Sequence, residues 1–140
     1  DPLFYVCAPS KTDDTVAPAG KENLFLLMPV APGIEDNEEI RERYFDMMIE
    51  RIEKRTNTRF KDKIVYKKSF AINDFKSEYN AYKGNAYGLA NTLKQTAILK
   101  PSIVNKKVKG LYYTGQLTVP GPGVPPSLIS GKLVANEISK

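Results

Sequence analysis

The feature that most constrains this fold is the stretch 111–138. It opens with an apolar and aromatic run, Leu111-Tyr112-Tyr113-Thr114-Gly115-Gln116. It then passes through Pro120-Gly121-Pro122-Gly123 and continues as Val124-Pro125-Pro126-Ser127-Leu128 towards Ile138. A short apolar run of this kind reads as a buried strand. After the turn, Val124, Leu128, Ala135 and Ile138 follow helical spacing, with a break at Gly131 and Lys132. Pro125 and Pro126 suit a first helical turn, where a missing N–H removes no helix bond. Gly131 would let the helix lie close to what it packs on. The unit is therefore strand, glycine turn, helix. The free N–H groups and dipole of the helix's first turn suit an anion or a polarised carbonyl. The same spacing also describes an ordinary strand-to-helix connection.

The rest of the chain supplies two further apolar runs near its start. Residues 3–8 (Leu3-Phe4-Tyr5-Val6-Cys7-Ala8) read as a well-buried strand and residues 24–30 as a second. The polar connection between them carries Asp13, Asp14, Pro18 and Gly20, which predicts a hairpin-like antiparallel pair. Ala31-Pro32-Gly33 ends that pattern. Asn37 then caps a helix over 37–55, with Glu38 and Glu39 in its first turn and Lys54 and Arg55 in its last. Ile40, Tyr44, Met47, Met48 and Ile52 fall on one face, so the helix should cover the sheet. Residues 63–70 read as a third strand joining the pair. Asn73 caps a short helix running from Asp74 to Tyr79 or Tyr82. Residues 83–89 are glycine-punctuated and aromatic, and 105–110 form a basic turn. The expected fold class is α+β.

Composition narrows the chemistry. The 140 residues include one cysteine, Cys7, and no histidine. A thiol–His pair, a Ser–His relay and a typical zinc site are therefore excluded within this chain, and no metal ligands are assigned. The lone cysteine favours a reducing, cytoplasmic setting. No apolar run approaches the length of a membrane span. The start, Asp1-Pro2-Leu3, has neither an initiator Met nor the features of a signal peptide, so the chain is expected to be part of a longer protein. The formal net charge is +5, with Lys and Arg clustered at 51–55, 59–63, 67–68 and 105–109. A solvated surface explains such clusters, as does attraction to anionic lipid or nucleic acid. No nucleic-acid module signature accompanies them. No acid/base pair stands out, and no catalytic residue is assigned.

Three ordered blocks resemble the phytoene desaturase (carotenoid dehydrogenase) family of FAD-dependent, amine-oxidase-like flavoproteins. The first is Tyr5-Val6-Cys7-Ala8-Pro9-Ser10 with Thr12-Asp13, Ala17-Pro18, Gly20 and Met28-Pro29-Val30. The second is Asp74-Phe75 through Gly84, Ala86-Tyr87-Gly88-Leu89, Gln95 and Pro101. The third is Leu111-Tyr112-Tyr113-Thr114-Gly115 followed by Pro120-Gly121-Pro122-Gly123-Val124-Pro125. The last is similar to that family's carboxy-terminal flavin motif, with departures at Gln116 and Pro126. The resemblance implies a carboxy-terminal part of an FAD-dependent oxidoreductase that desaturates a long apolar carotenoid or isoprenoid such as phytoene. It further implies that residues 1–83 belong to a substrate-binding domain, and that 84–140 are the crossover and carboxy-terminal part of an FAD-binding domain.

On this reading Thr114, Gly115 and Gln116 border the ribityl or phosphate side of the flavin. Gly123, Val124 and Pro125 present the helix tip to it. Tyr87 and Gly88 border its substrate side, with Gly84 and Gly88 letting backbone approach the ring. The G-x-G-x-x-G sequence that holds a dinucleotide pyrophosphate is absent from these 140 residues. The chain by itself is therefore expected to be inactive and to self-associate, and its parent to touch membranes peripherally. Two other classes are a basic nucleic-acid-binding module, which needs salt-steep binding, and a ligand-free interaction domain.

Overall fold

Strands β1 (Tyr5–Cys7) and β2 (Phe25–Leu27) pair antiparallel, with Val6 opposite Leu26. The computed structural model describes residues 2–90 and 92–140. Polar side chains draw the loop between the strands together. The Asp13 carboxylate accepts the N–H and hydroxyl of Thr15 at 2.8 and 2.6 Å, and Ser10 Oγ donates to Glu22 at 2.6 Å. The antiparallel pair is thus as the sequence predicts, but its burial is not. Tyr5, Val6 and Phe25 are exposed, because no second layer covers these side chains among the described residues.

Helix α1 (Glu38–Thr56) begins where Asn37 predicts. The Asn37 carboxamide oxygen accepts the Ile40 N–H at 2.9 Å, satisfying one of the helix's unpartnered first-turn donors. Glu38 and Glu39 face the positive end of the dipole, and Lys54 and Arg55 the negative end. The helix stops at Asn57, which takes a left-handed conformation at φ 50°. Ile49, on α1, is buried at 2 % exposure and Ile72 at 4 %. They are the buried hydrophobic residues among those described.

Two expectations fail in this half of the chain. Residues 63–70 do not join the sheet. A 3-10 turn at Lys61–Lys63 is followed by residues 64–71, which have no regular secondary structure and no ladder partner. β-prone side chains alone do not make a strand when no edge is offered to them. Nor does Asn73 cap the next helix. Helix α2 (Ile72–Tyr79) starts earlier, with Ala71 before it and the Asp74 carboxylate accepting the Ala71 N–H at 2.8 Å. Asn73 is taken by Asp36 instead: its N–H reaches Oδ2 at 2.7 Å and its Nδ2 the Asp36 carbonyl at 2.8 Å. Arg41 closes this knot, with a bidentate bond to Asp36 at 2.6 and 2.7 Å and a contact to Asp74 at 2.7 Å. The Arg41 guanidinium, then the Asn73 N–H, holds the Asp36 carboxyl below its usual range.

The chain divides into two compact units, Asp1–Gly84 and Asn85–Lys140. In the second, residues 92–99 form two 3-10 turns, Leu93–Gln95 and Ala97–Leu99. The expected strand at Leu111 reduces to one antiparallel bridge, Val104 with Tyr112, and Leu111 is exposed. Its bonds, Tyr113 N–H to Ile103 O at 2.8 Å and Asn105 N–H to Leu111 O at 3.0 Å, occupy a single side. A buried strand needs neighbours on both sides, and among the described residues there is one. Helix α3 (Val124–Ile138) follows with Pro in its first turn, as predicted. Helices with a small antiparallel sheet make this an α+β chain.

Candidate flavin-edge site

The second unit contains an open cleft of ≈ 520 Å³. Ala86 and Tyr87 form one wall, Gln116 a second, and Gly123, Val124, Ser127 and Leu128 the third, at the start of α3. Four of the eight residues singled out from the sequence therefore meet around one space: Tyr87, Gln116, Gly123 and Val124. Thr114, Gly115, Pro125 and Gly88 do not line it.

The turn carrying Tyr87 is built by Asn85. Its Oδ1 accepts the N–H groups of Tyr87 and Gly88, both at 2.8 Å, and its Nδ2 donates to the Gly88 carbonyl. Asn is the residue type that closes such local turns, so an Asn two positions before Tyr87 was a usable signal that sequence reading passed over. Gly88 is glycine first for its backbone conformation. Its φ is +82°, and a Cβ there would sit 2.9 Å from Leu117 Cδ2. Gly84 is likewise explained by the protein's own backbone. A Cβ would lie 2.6 Å from the Ile72 carbonyl oxygen. Both glycines also have neighbours within their own unit that a side chain would crowd.

Ser130, a residue the sequence reading passed over as one more helical position, ties α3 to the glycine turn. Its side chain is fully buried. The hydroxyl oxygen accepts the Gly115 N–H at 2.8 Å, lies 2.7 Å from Thr114 Oγ1, and lies 2.6 Å from the Ser127 carbonyl. The carbonyl has no proton to give, so Ser130 donates to it. Thr114 must then donate to Ser130. Thr114 and Gly115 thus spend their donors inside the protein. Thr118 extends the lock, its hydroxyl donating to the Gly115 carbonyl at 3.0 Å. Gly131, expected to allow close packing, is not the tight point: a Cβ there would be 3.9 Å from Thr114 Oγ1, an ordinary contact.

The helix tip also differs from the expectation of several free N–H groups. Pro125 and Pro126 have none, and the Ser127 N–H is already bonded to the Gly123 carbonyl at 3.0 Å. Of the residues Val124, Pro125 and Pro126 that open α3, only Val124 has a backbone N–H, and Val124 lines the cleft. Gly123 just before it sits at φ +113°, in a region L side chains rarely adopt, and a Cβ would press on the Pro126 ring at 3.4 Å. The tip presents one N–H and the residual field of the helix, which suits a single carbonyl better than a phosphate.

Chemically, the lining holds no Asp, Glu, Lys or Arg. Tyr87, Val124 and Leu128 expose apolar surface, and the Gln116 amide and the Ser127 hydroxyl supply polarity. Such a cleft can hold an uncharged planar or apolar group and orient it with one or two hydrogen bonds. It has no carboxylate, amine or imidazole for proton transfer, the Tyr87 phenol being its one titratable group. Among the described residues there is no group of His, Cys, Asp and Glu that could hold a metal ion, and no helix long and apolar enough to cross a membrane.

The chain is 51% identical over 138 residues to the carotenoid 3,4-desaturase of Haloarcula japonica, an alignment covering 99% of this chain and 28% of that protein. It is also 36% identical over 148 aligned positions to the 4,4'-diapophytoene desaturase (4,4'-diaponeurosporene-forming) of Staphylococcus aureus strain Newman, covering 100% of this chain and 29% of that protein. No protein-family model matches it. The chain belongs to the carotenoid desaturase family, and it spans a little over a quarter of the length of the curated relatives it matches.

Proposed function

We propose that this chain is the carboxy-terminal part of an FAD-dependent desaturase that acts on a long apolar polyene of the carotenoid type. The observation that carries the reading is the 51% identity to a carotenoid 3,4-desaturase over almost the whole chain. Residues 1–83 would contribute to a substrate-binding domain, and residues 84–140 to the crossover and carboxy-terminal part of the FAD-binding domain.

The cleft fits one edge of a flavin. Gly123 has no Cβ to fill the approach, Val124 offers a single N–H at a helix start, and the Gln116 amide can donate and accept. Tyr87 supplies an aromatic wall facing the same space. Of the wider set proposed from the sequence, Thr114 and Gly115 would act by holding the turn through Ser130, Pro125 by shaping the helix start, and Gly88 by fixing the Tyr87 turn. FAD, when bound, would accept the hydride that carries both electrons removed from a C–C unit, the second hydrogen leaving as a proton. The chain's own residues orient that group, shield one edge from water and leave an apolar approach for a polyene. Such a substrate resides in lipid, so the parent protein would contact the membrane peripherally.

The test uses the full-length protein. It should purify with bound flavin, and with FAD and a polyene in lipid vesicles it should shift the polyene's absorption to longer wavelength as conjugation lengthens. A protein that neither carries nor takes up flavin would overturn the proposal.

A further inference from the structure

The structure assigns the segment 65–70 to one edge of a larger sheet, whose missing neighbour we infer to be a strand of the same polypeptide lying outside these 140 residues. This rests on the reading above, in which the chain is part of a longer desaturase. The residues are suited to it: Val65, Tyr66 and Phe70 are β-formers, and the run 64–71 contains no turn or bend. It is bracketed by Ile64 at φ −75°, ψ 113° and Ala71 at φ −142°, ψ −157°, both extended.

From residue 66 to 70 its side chains alternate as a strand's do, while Val65 is 76 % exposed. Lys67 pairs with Glu42 and lies 4.6 Å from the centroid of the Phe45 ring, while Ser69 Oγ accepts from Arg41 Nη1 at 3.1 Å. Residues 67 and 69 therefore face α1. Phe70, of opposite parity, packs edge-on against Phe75 at 4.9 Å, and Tyr66 stands 77 % exposed. The first-strand end of the unit reaches the same helix: Arg51 donates to the Pro2 carbonyl at 2.6 Å and lies 4.8 Å over the Phe4 ring. Residues 2–4, just before β1, and the segment 65–70 thus both touch α1 without being joined. Among the described residues, no backbone–backbone hydrogen bond involves residues 65–70. A row of open donors and acceptors on β-prone chain is a site for an added strand.

The occupant follows from length and charge. The curated relative is over three times as long as this chain, so most of its polypeptide lies elsewhere. A second copy suits the edge poorly. Antiparallel pairing of two such segments would set Lys67 and Lys68 of each along one short ladder, where like charges oppose one another.

Hydrogen exchange on the full-length, flavin-loaded protein tests the assignment. Peptides spanning 64–71 should contain amides exchanging at least about a hundredfold more slowly than an open segment, with no change on tenfold dilution. Fast exchange throughout 65–70 in a flavin-loaded protein would overturn the inference while leaving the desaturase reading in place. Protection lost on dilution would also overturn it, in favour of pairing between copies. Dilution-independent protection in a protein that binds no flavin would support the strand and count against the desaturase reading.

Discussion

Replacing Ser130 by Ala should unlatch the Thr114–Gly115 turn from α3. The buried hydroxyl makes three bonds, at 2.6, 2.7 and 2.8 Å. The consequences of its loss are unequal. Thr114 is exposed, so its hydroxyl turns to water. The Ser127 carbonyl needs no second partner. The half-buried Gly115 N–H is left without an acceptor, which costs about 1–3 kcal/mol. Ala is a better helix former than Ser by about 0.5 kcal/mol, which offsets part of this. The net loss is about 1.5 kcal/mol, or roughly tenfold in the local opening equilibrium. Hydrogen exchange of the peptide covering 111–118 in the full-length protein reads that change directly, and it should quicken about tenfold. Ser139→Ala is the control. Its hydroxyl also bonds a carbonyl one turn back, Ala135 O at 3.0 Å, but at the exposed end of the helix. Equal exchange in Ser130→Ala and wild type would refute the assignment of Ser130 as the latch.

Gly84→Ala should destabilise the first unit by at least about 3 kcal/mol, because a positive φ is compounded by backbone overlap. Gly20→Ala, with φ +72° and open space, should cost about 1 kcal/mol; comparable melting temperatures for the two variants would contradict the packing account. Asn37→Ala should cost about 1 kcal/mol through loss of the α1 cap, read as a lower urea midpoint. Asp36 has its carboxyl lowered by Arg41 and by the Asn73 N–H, so its contribution is present above the unfolded value of about 3.9 and is lost as pH falls through the lower folded value. Asp36→Asn should therefore lower stability at neutral pH and flatten the stability curve below about pH 4; a curve of unchanged shape would contradict it.

What could be read from the sequence was what local chemistry decides. The Asn37 cap and the proline-led start of α3 depend on residues within a few positions of one another, and the antiparallel pairing of β1 with β2 on one polar connection between two apolar runs. The strands expected at 63–70 and at Leu111 depend on neighbours, and a β-prone run says nothing about whether a partner edge lies within the same 140 residues. Asn73 could cap as well as any residue of its type, but Asp36, thirty-seven positions away, holds it elsewhere. At the site, the convergence of Tyr87, Gln116, Gly123 and Val124 followed from recognising a motif. The roles of Ser130 and Asn85 did not, because a buried serine bond and an Asx turn leave only a common residue type in the sequence. The two prolines were legible as a helix start, and they were equally a statement about which N–H groups are absent.

That last point gives the most direct test of the claim that this chain forms one edge of a flavin site. Val124→Pro removes the one backbone N–H among the three opening residues of α3, at a position that lines the cleft. It suits the first helical position, and the ψ of 159° at Gly123 ahead of it lies in the range a residue before proline takes. Val124→Ala keeps the donor and trims the same exposed side chain. Flavin content and affinity of the full-length protein are then read from its visible absorbance during FAD titration. Val124→Pro should bind FAD about tenfold more weakly, the loss of one hydrogen bond worth about 1.4 kcal/mol, with Val124→Ala close to wild type. Equal FAD affinity in Val124→Pro and wild type would contradict the account.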